Sequence, residues 1–198
     1  MKIGILISGR GSNMVALVDA VRSGEIPNTD VVVVISDQPN AAGLAKAKER
    51  GVETLVIERR GRKRADHDAE IAAELKTRGV ELVCLAGFMR LLSTEFVAEF
   101  PRRILNIHPS LLPAFKGVDA QRQALEVGVE TTGCTVHYVD EHLDNGDVIL
   151  QREVPVLPND TVETLSNRIL HEEHTVYVDA VRKIVVSGQE VCVRKDSL

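Results

Sequence analysis

Asn106 and His108 stand two residues apart in the stretch Ile104-Leu105-Asn106-Ile107-His108-Pro109-Ser110-Leu111-Leu112-Pro113. A short apolar strand runs into this stretch, and on an extended backbone that spacing turns both side chains to one face. An amide and an imidazole aimed together from a strand end suit a reaction in which an oxyanion develops and a proton moves. Pro109 and Pro113 then end the regular structure, since each fixes φ and lacks an N–H. A lone histidine after a strand is more often structural, so the elements around the pair must decide.

Those elements begin with Lys2–Ser8, a continuous apolar run that reads as a strand buried on both faces. Gly9-Arg10-Gly11-Ser12-Asn13 follows, and Met14, Leu17, Val18 and Val21 then recur at helical spacing. Strand, glycine turn and helix leave N–H groups free to cradle a phosphate. Met14 breaks the dinucleotide fingerprint, and no Gly-Lys-Ser/Thr marks a nucleotide P-loop. A plain tight turn explains the glycines equally well. Asp30–Ser36 is a second buried strand. Asp37 ends it, where dinucleotide folds carry a ribose-binding acid, although a turn aspartate before Pro39 is the simpler account. A helix over Ala41–Arg50, a strand over Val52–Ile57, a helix over Asp66–Arg78, a strand over Glu81–Ala86 and a short helix over Thr94–Phe100 complete this part. Such alternation predicts an α/β, Rossmann-like, mostly parallel sheet with helices on both faces. Ligands in such sheets lie beyond the carboxyl ends of the strands. The glycine turn, the segment after Phe88 and the Asn106–His108 pair are therefore expected on one rim.

Beyond Pro113, Asp119 is expected to cap a helix over Ala120–Val127 that Gly128 ends. Thr131–Val139 and Asp147–Val156 read as antiparallel strands, with Asn145-Gly146 as the hairpin signal between them. Asp144 falls in that loop, where a plain turn aspartate is the local reading. Asn159-Asp160-Thr161-Val162-Glu163 is a helix start of capping-box type. The helix is expected to reach about Val186 and stop at Gly188, with Glu190–Arg194 as a short edge strand.

Composition narrows the class. The chain has 198 residues, a net charge of −5, 3% aromatics and no Trp, which argues against a nucleic-acid partner. No stretch approaches the ~20 apolar residues of a membrane span. The three cysteines, Cys84, Cys134 and Cys192, are far apart, so no metal knuckle or redox dithiol is indicated and a reducing, cytoplasmic setting is expected. Length and the lack of a linker predict one domain over 1–198.

Three strings carry a resemblance: Ser8-Gly9-Arg10-Gly11-Ser12-Asn13, Ala86-Gly87-Phe88-Met89-Arg90-Leu91-Leu92 and Asn106-Ile107-His108-Pro109-Ser110. Together they resemble the folate-dependent formyltransferase family, in the branch that acts on glycinamide ribonucleotide, over essentially the whole chain. The resemblance implies the formyltransferase fold, with a ribonucleotide-phosphate half over about 1–100 and a folate and catalytic half over about 101–198. It implies transfer of the formyl group of 10-formyltetrahydrofolate to the amine of glycinamide ribonucleotide in purine synthesis, without a metal. Asn106, His108 and Asp144 would be catalytic, with Asp144 stabilising the His108 imidazolium. Gly11, Ser12, Asn13 and Glu173 would hold the ribonucleotide. Arg64, Met89, Arg90, Leu91, Leu92, Asn106 and the loop of Asp140, Glu141, His142, Leu143 and Asp144 would hold the folate, and that loop is expected to close over it.

The chain departs from a common family variant at Asp119-Ala120-Gln121, where histidines would stand. Their roles do not transfer. A 10-formyltetrahydrofolate hydrolase would carry an extra N-terminal domain, and a methionyl-tRNA formyltransferase a C-terminal one and a basic surface. A non-catalytic dinucleotide-binding module would leave Asn106, His108 and Asp144 unexplained. Either a monomer or a homodimer is compatible with the sequence.

Overall fold

A computed structural model describes residues 1–195, with side chains through Ser187. Seven strands form one sheet: β1 (Lys2–Ile7), β2 (Asp30–Ser36), β3 (Thr54–Val56), β4 (Leu82–Leu85), β5 (Ile104–His108), β6 (Thr131–Tyr138) and β7 (Val148–Pro155). Their order is β3-β2-β1-β4-β5-β6-β7. The pairs from β3 through β5 are parallel, and β5–β6 and β6–β7 are antiparallel. The expected parallel sheet with an antiparallel hairpin at its C-terminal edge is thus present. The order turns around at β1, whose neighbours are β2 and β4, and that switch point opens a crevice at the carboxyl ends.

Among the described residues, six helices cover the sheet: α1 (Ser12–Arg22), α2 (Ala42–Glu49), α3 (Arg64–Thr77), α4 (Thr94–Glu99), α5 (Ala120–Val127) and α6 (Val162–Lys195). Alternate residues of each central strand point to opposite faces. Ile3, Ile5, Ile7, Leu105 and Ile107 pack with Met14 and Leu17 of α1 and with Leu165, Ile169, Tyr177 and Val181 of α6. Leu6, Val33, Ile35, Val83 and Ile104 pack on the other face with Ile71 and Leu75 of α3 and Phe96 of α4. Both faces being covered explains why these strands read as unbroken apolar runs.

Three expectations need correction. Gly188 does not stop α6, which runs on to Lys195, so the backbone of 190–194 is helical rather than a strand. One glycine inside a helix costs only about 1 kcal/mol, less than a long helix can absorb. Asp119 precedes α5 but its side chain makes no cap; its backbone is left-handed, at φ 57. The Asn145-Gly146 pair is not a tight two-residue turn. Tyr138 N–H bonds to Asp147 C=O at 3.0 Å, closing a longer loop over 139–146. Glycine is needed at 146 because a Cβ there would lie 1.9 Å from the Tyr138 carbonyl oxygen. At the start of α6 the capping box does form, with Thr164 as its second member. Thr161 Oγ1 accepts from Thr164 N–H at 3.2 Å, and Thr164 Oγ1 accepts from Thr161 N–H at 2.9 Å.

Candidate active site

Asn106 and His108 lie in the C-terminal half of β5 and face the same side of the sheet as Ile104. The antiparallel neighbour β6 places His137 directly opposite Asn106, and Thr135 opposite His108. Cross-strand partners share a face, so four polar side chains converge at one strand end. Asp144 reaches them from the loop over 139–146, with its backbone at φ 46. Its carboxylate is 9% exposed and lies 3.4 Å from His108 Nδ1 and 3.8 Å from His137 Nε2. Gly117 N–H donates to Asp144 Oδ2 at 2.8 Å and fixes the loop from the other side.

Hydrogen-bond roles can be read outward from the carbonyls, which only accept. His108 Nε2 donates to the Phe115 carbonyl at 2.8 Å, and this leaves Nδ1 turned toward Asp144. His137 Nδ1 donates to the Tyr138 carbonyl at 2.8 Å. Burial holds His137 below the usual imidazole range, which favours the neutral ring with a lone pair on Nε2. That lone pair accepts from Asn106 Nδ2 at 3.2 Å. The Asn106 amide is thereby oriented, and its second N–H remains to meet a developing oxyanion. His137 was not singled out from sequence. The signal was there in the alternation of β6, where Thr135 and His137 share a face, but only the register with β5 reveals the partner.

The loop after His108 is held by a small buried network. Thr135 Oγ1 donates to Ser110 C=O at 2.7 Å and accepts from Leu112 N–H at 3.0 Å and from Gln151 Nε2 at 2.8 Å. Gln151 comes from the edge strand β7, so the hairpin braces the segment that carries the His108 acceptor.

The glycine turn follows β1, which lies two positions from β5 in the sheet. Gly11 has φ 67, and a Cβ on it would sit 2.7 Å from the Gly43 Cα of α2. Both facts demand glycine. No side chain caps α1, so its first-turn N–H groups stay open to an anion. Ser12 is half-buried on the rim and Asn13 is buried. Asn13 Nδ2 donates at 2.7 Å to Glu173 Oε2 on α6. Burial pushes the Glu173 carboxyl above the usual carboxylate range, against the opposing pull of the Asn13 hydrogen bond. Asn13 and Glu173, 160 residues apart in sequence, are thus joined.

The segment after β4, the strand between β1 and β5, borders a cavity of about 650 Å³ lined by Arg59, Lys63, Arg64, Met89, Arg90 and Leu91. Met89 is 79% exposed and Leu91 54%, an uncommon display of apolar surface at a strand end. Leu92 instead packs partly into the core. The Met89 N–H donates to Ser8 Oγ at 2.9 Å, tying this segment to the glycine turn. Arg90 reaches Asp37, whose carboxylate is buried 3.7 Å from the guanidinium. Asp37 is therefore more than the turn aspartate its sequence suggested. Within the hairpin loop, Asp140 Oδ1 accepts from His142 N–H at 2.8 Å, while Glu141, His142 and Leu143 are exposed. Leu143 lies against Gly117, whose added Cβ would be 3.7 Å from it. Among the described residues, no three His, Cys, Asp or Glu side chains gather as metal ligands.

A family model described as formyl transferase matches residues 1–181. The chain belongs to the formyl transferase family. Phosphoribosylglycinamide formyltransferase of Escherichia coli K12 is 43% identical over 178 residues, covering 89% of this chain and 84% of that protein. The human trifunctional purine biosynthetic protein adenosine-3 is 47% identical over 190 residues, or 94% of this chain and 18% of that protein. The chain spans 14–19% of the trifunctional relatives it matches. Among solved structures, glycinamide ribonucleotide transformylase 1 from Symbiobacterium toebii superposes with a TM-score of 0.93 at 52% identity. That match covers 94% of this chain and 88% of the other. Among the described residues, no helix of this family member is long and apolar enough to cross a membrane.

Proposed function

We propose that this formyl transferase moves the formyl group of 10-formyltetrahydrofolate to the amine of glycinamide ribonucleotide, a step of purine synthesis. The observation that carries the reading is the convergence of Asn106, His108 and Asp144 at one strand end, on the same rim as an open helix N-terminus and an exposed apolar cavity wall. The glycine turn and Ser12 would take the ribonucleotide phosphate, and Asn13 with Glu173 its ribose hydroxyls. The cavity beside Met89–Leu91 would take the flat heterocycle, with Leu92 behind it. Arg64 would face the anionic tail of the folate.

In this reading the amine attacks the formyl carbon and the carbonyl oxygen becomes an oxyanion. Asn106 donates its free N–H to that oxygen, already aligned by His137. His108 stabilises the same charge and supplies a proton to the departing folate nitrogen, while Asp144 balances the imidazolium and helps pass the proton lost by the attacking amine outward. Both ring nitrogens of His108 are engaged in this structure. Proton delivery needs one contact to open, and the Asp144 contact, at 3.4 Å, is the longer and weaker of the two. The loop of Asp140–Gly146 is therefore the part expected to move when folate binds.

The deciding experiment is formyl transfer from 10-formyltetrahydrofolate with and without glycinamide ribonucleotide. Turnover that depends on the ribonucleotide is expected. Equal turnover without it would make the protein a hydrolase and remove the phosphate role from the glycine turn.

A further inference from the structure

Beneath the cavity beside Met89 lies a titratable pair that the chemistry above does not use. His67 and Asp68, in the first turns of α3, are 0% and 1% exposed. His67 Nε2 donates to the Ile57 carbonyl at 2.7 Å, just ahead of the segment that carries Arg59 and Lys63. Asp68 Oδ2 accepts the Ser93 N–H at 2.6 Å, at the end of the segment that carries Met89, Arg90 and Leu91. Between them, His67 Nδ1 and Asp68 Oδ1 are 3.3 Å apart. The chain of contacts then runs without a break from one wall of the cavity to the other.

We infer that His67 and Asp68 are positioning residues that set the width of this cavity, Ile57 being held on one side and Ser93 on the other. Neither touches the cavity interior, so neither is catalytic. The role as a folate-site brace rests on the proposed function; the mechanical link between the two walls does not. Ser93 adds to the argument because its Oγ caps α4 through Phe96 N–H at 3.2 Å. The Asp68 bond thus fixes the point at which the apolar segment turns into a helix.

The test uses the full chain with Asp68→Ala, Asp68→Asn and His67→Phe. Asparagine can accept from Ser93 N–H through its oxygen and donate to His67 Nδ1 through its amide, so it should preserve the link that alanine breaks. In Asp68→Ala, the KM for 10-formyltetrahydrofolate should rise about tenfold, with kcat and the KM for the ribonucleotide within about twofold. Asp68→Asn should stay within about threefold of the parent. Amide exchange without substrates reads the link alone: Asp68→Ala should quicken exchange in both 58–63 and 89–93, and His67→Phe in 58–63. Unchanged folate KM in Asp68→Ala, an Asn variant as impaired as the Ala variant, or exchange that quickens only at 89–93 in Asp68→Ala would each overturn the inference. Should Asp68→Ala fail to fold, the Asn and Phe variants decide by the same readouts. Should the parent itself turn over no folate, the proposed function fails while the exchange result still settles the clamp.

Discussion

Asn106 and His108 should separate activity from stability. Losing one oxyanion donor costs roughly 3–4 kcal/mol of barrier, or about 10²–10³ in kcat. Losing the Asn106–His137 hydrogen bond costs only about 1 kcal/mol of folding free energy. Asn106→Ala and His108→Ala should therefore lose activity by at least about a hundredfold while their urea midpoints barely move; near-parental turnover in both would remove them from the chemistry. Glu173 offers a pH signature. Burial raises its carboxyl above the unfolded value, so the folded chain binds that proton more tightly than the unfolded one. Its stabilising contribution is present below the ordinary carboxylate range and is lost as pH rises through the folded value. Relative to Glu173→Gln, which does not titrate, the parent should lose stability as pH rises above the ordinary glutamate value of about 4.3. Urea denaturation of both proteins across that range would show it, and a constant difference would refute it. Much at this scale was legible. The Asn106–His108 spacing needs only strand geometry, whereas the roles of His137 and Asp37 depend on partners from other elements, which single-chain periodicity does not report.

At the scale of elements, boundaries were readable where a physical stop is present and failed where the stop was weak. Gly79 and Gly128 lie just after α3 and α5 with positive φ, as a helix end prefers. Gly188 had the same chemistry but no structural need, and α6 passes through it. The β6–β7 hairpin shows the opposite case. Its glycine is required by a close approach to Tyr138, not by the Asn-Gly turn that the dipeptide suggests. Gly146→Ala must push the loop away from that carbonyl, and Asp144 lies two residues before it. A displacement near 1 Å at a catalytic group can cost about a hundredfold, so Gly146→Ala should lower kcat on the order of tenfold to a hundredfold. Circular dichroism should show the sheet intact in the same variant. Amide exchange over 140–146 should slow when folate is added to the parent; equal exchange with and without folate would mean that this loop does not close.

At the scale of the molecule, α6 ties the two halves of the chain together. It packs across β6, β7 and α1, burying Leu165, Ile169, Val176, Tyr177, Val181 and Val185. Tyr177 O–H donates to the carbonyls of both Leu85 and Leu105, at 3.0 and 3.2 Å, and so bridges β4 and β5 beneath the site. The alternation of strands and helices made the sheet legible, but not which helix would cover which face, because covering depends on contacts far apart in sequence. Each large apolar side chain of α6 contributes roughly 1.5–3 kcal/mol by burial. Six of them together rival the entire stability of an ordinary domain, about 5–15 kcal/mol. A fragment of residues 1–161, which retains every strand and both proposed catalytic residues of β5, should therefore lack a cooperative thermal transition and bind no folate. Cooperative melting of that fragment would show that the seven strands and the first five helices form a sufficient core without α6.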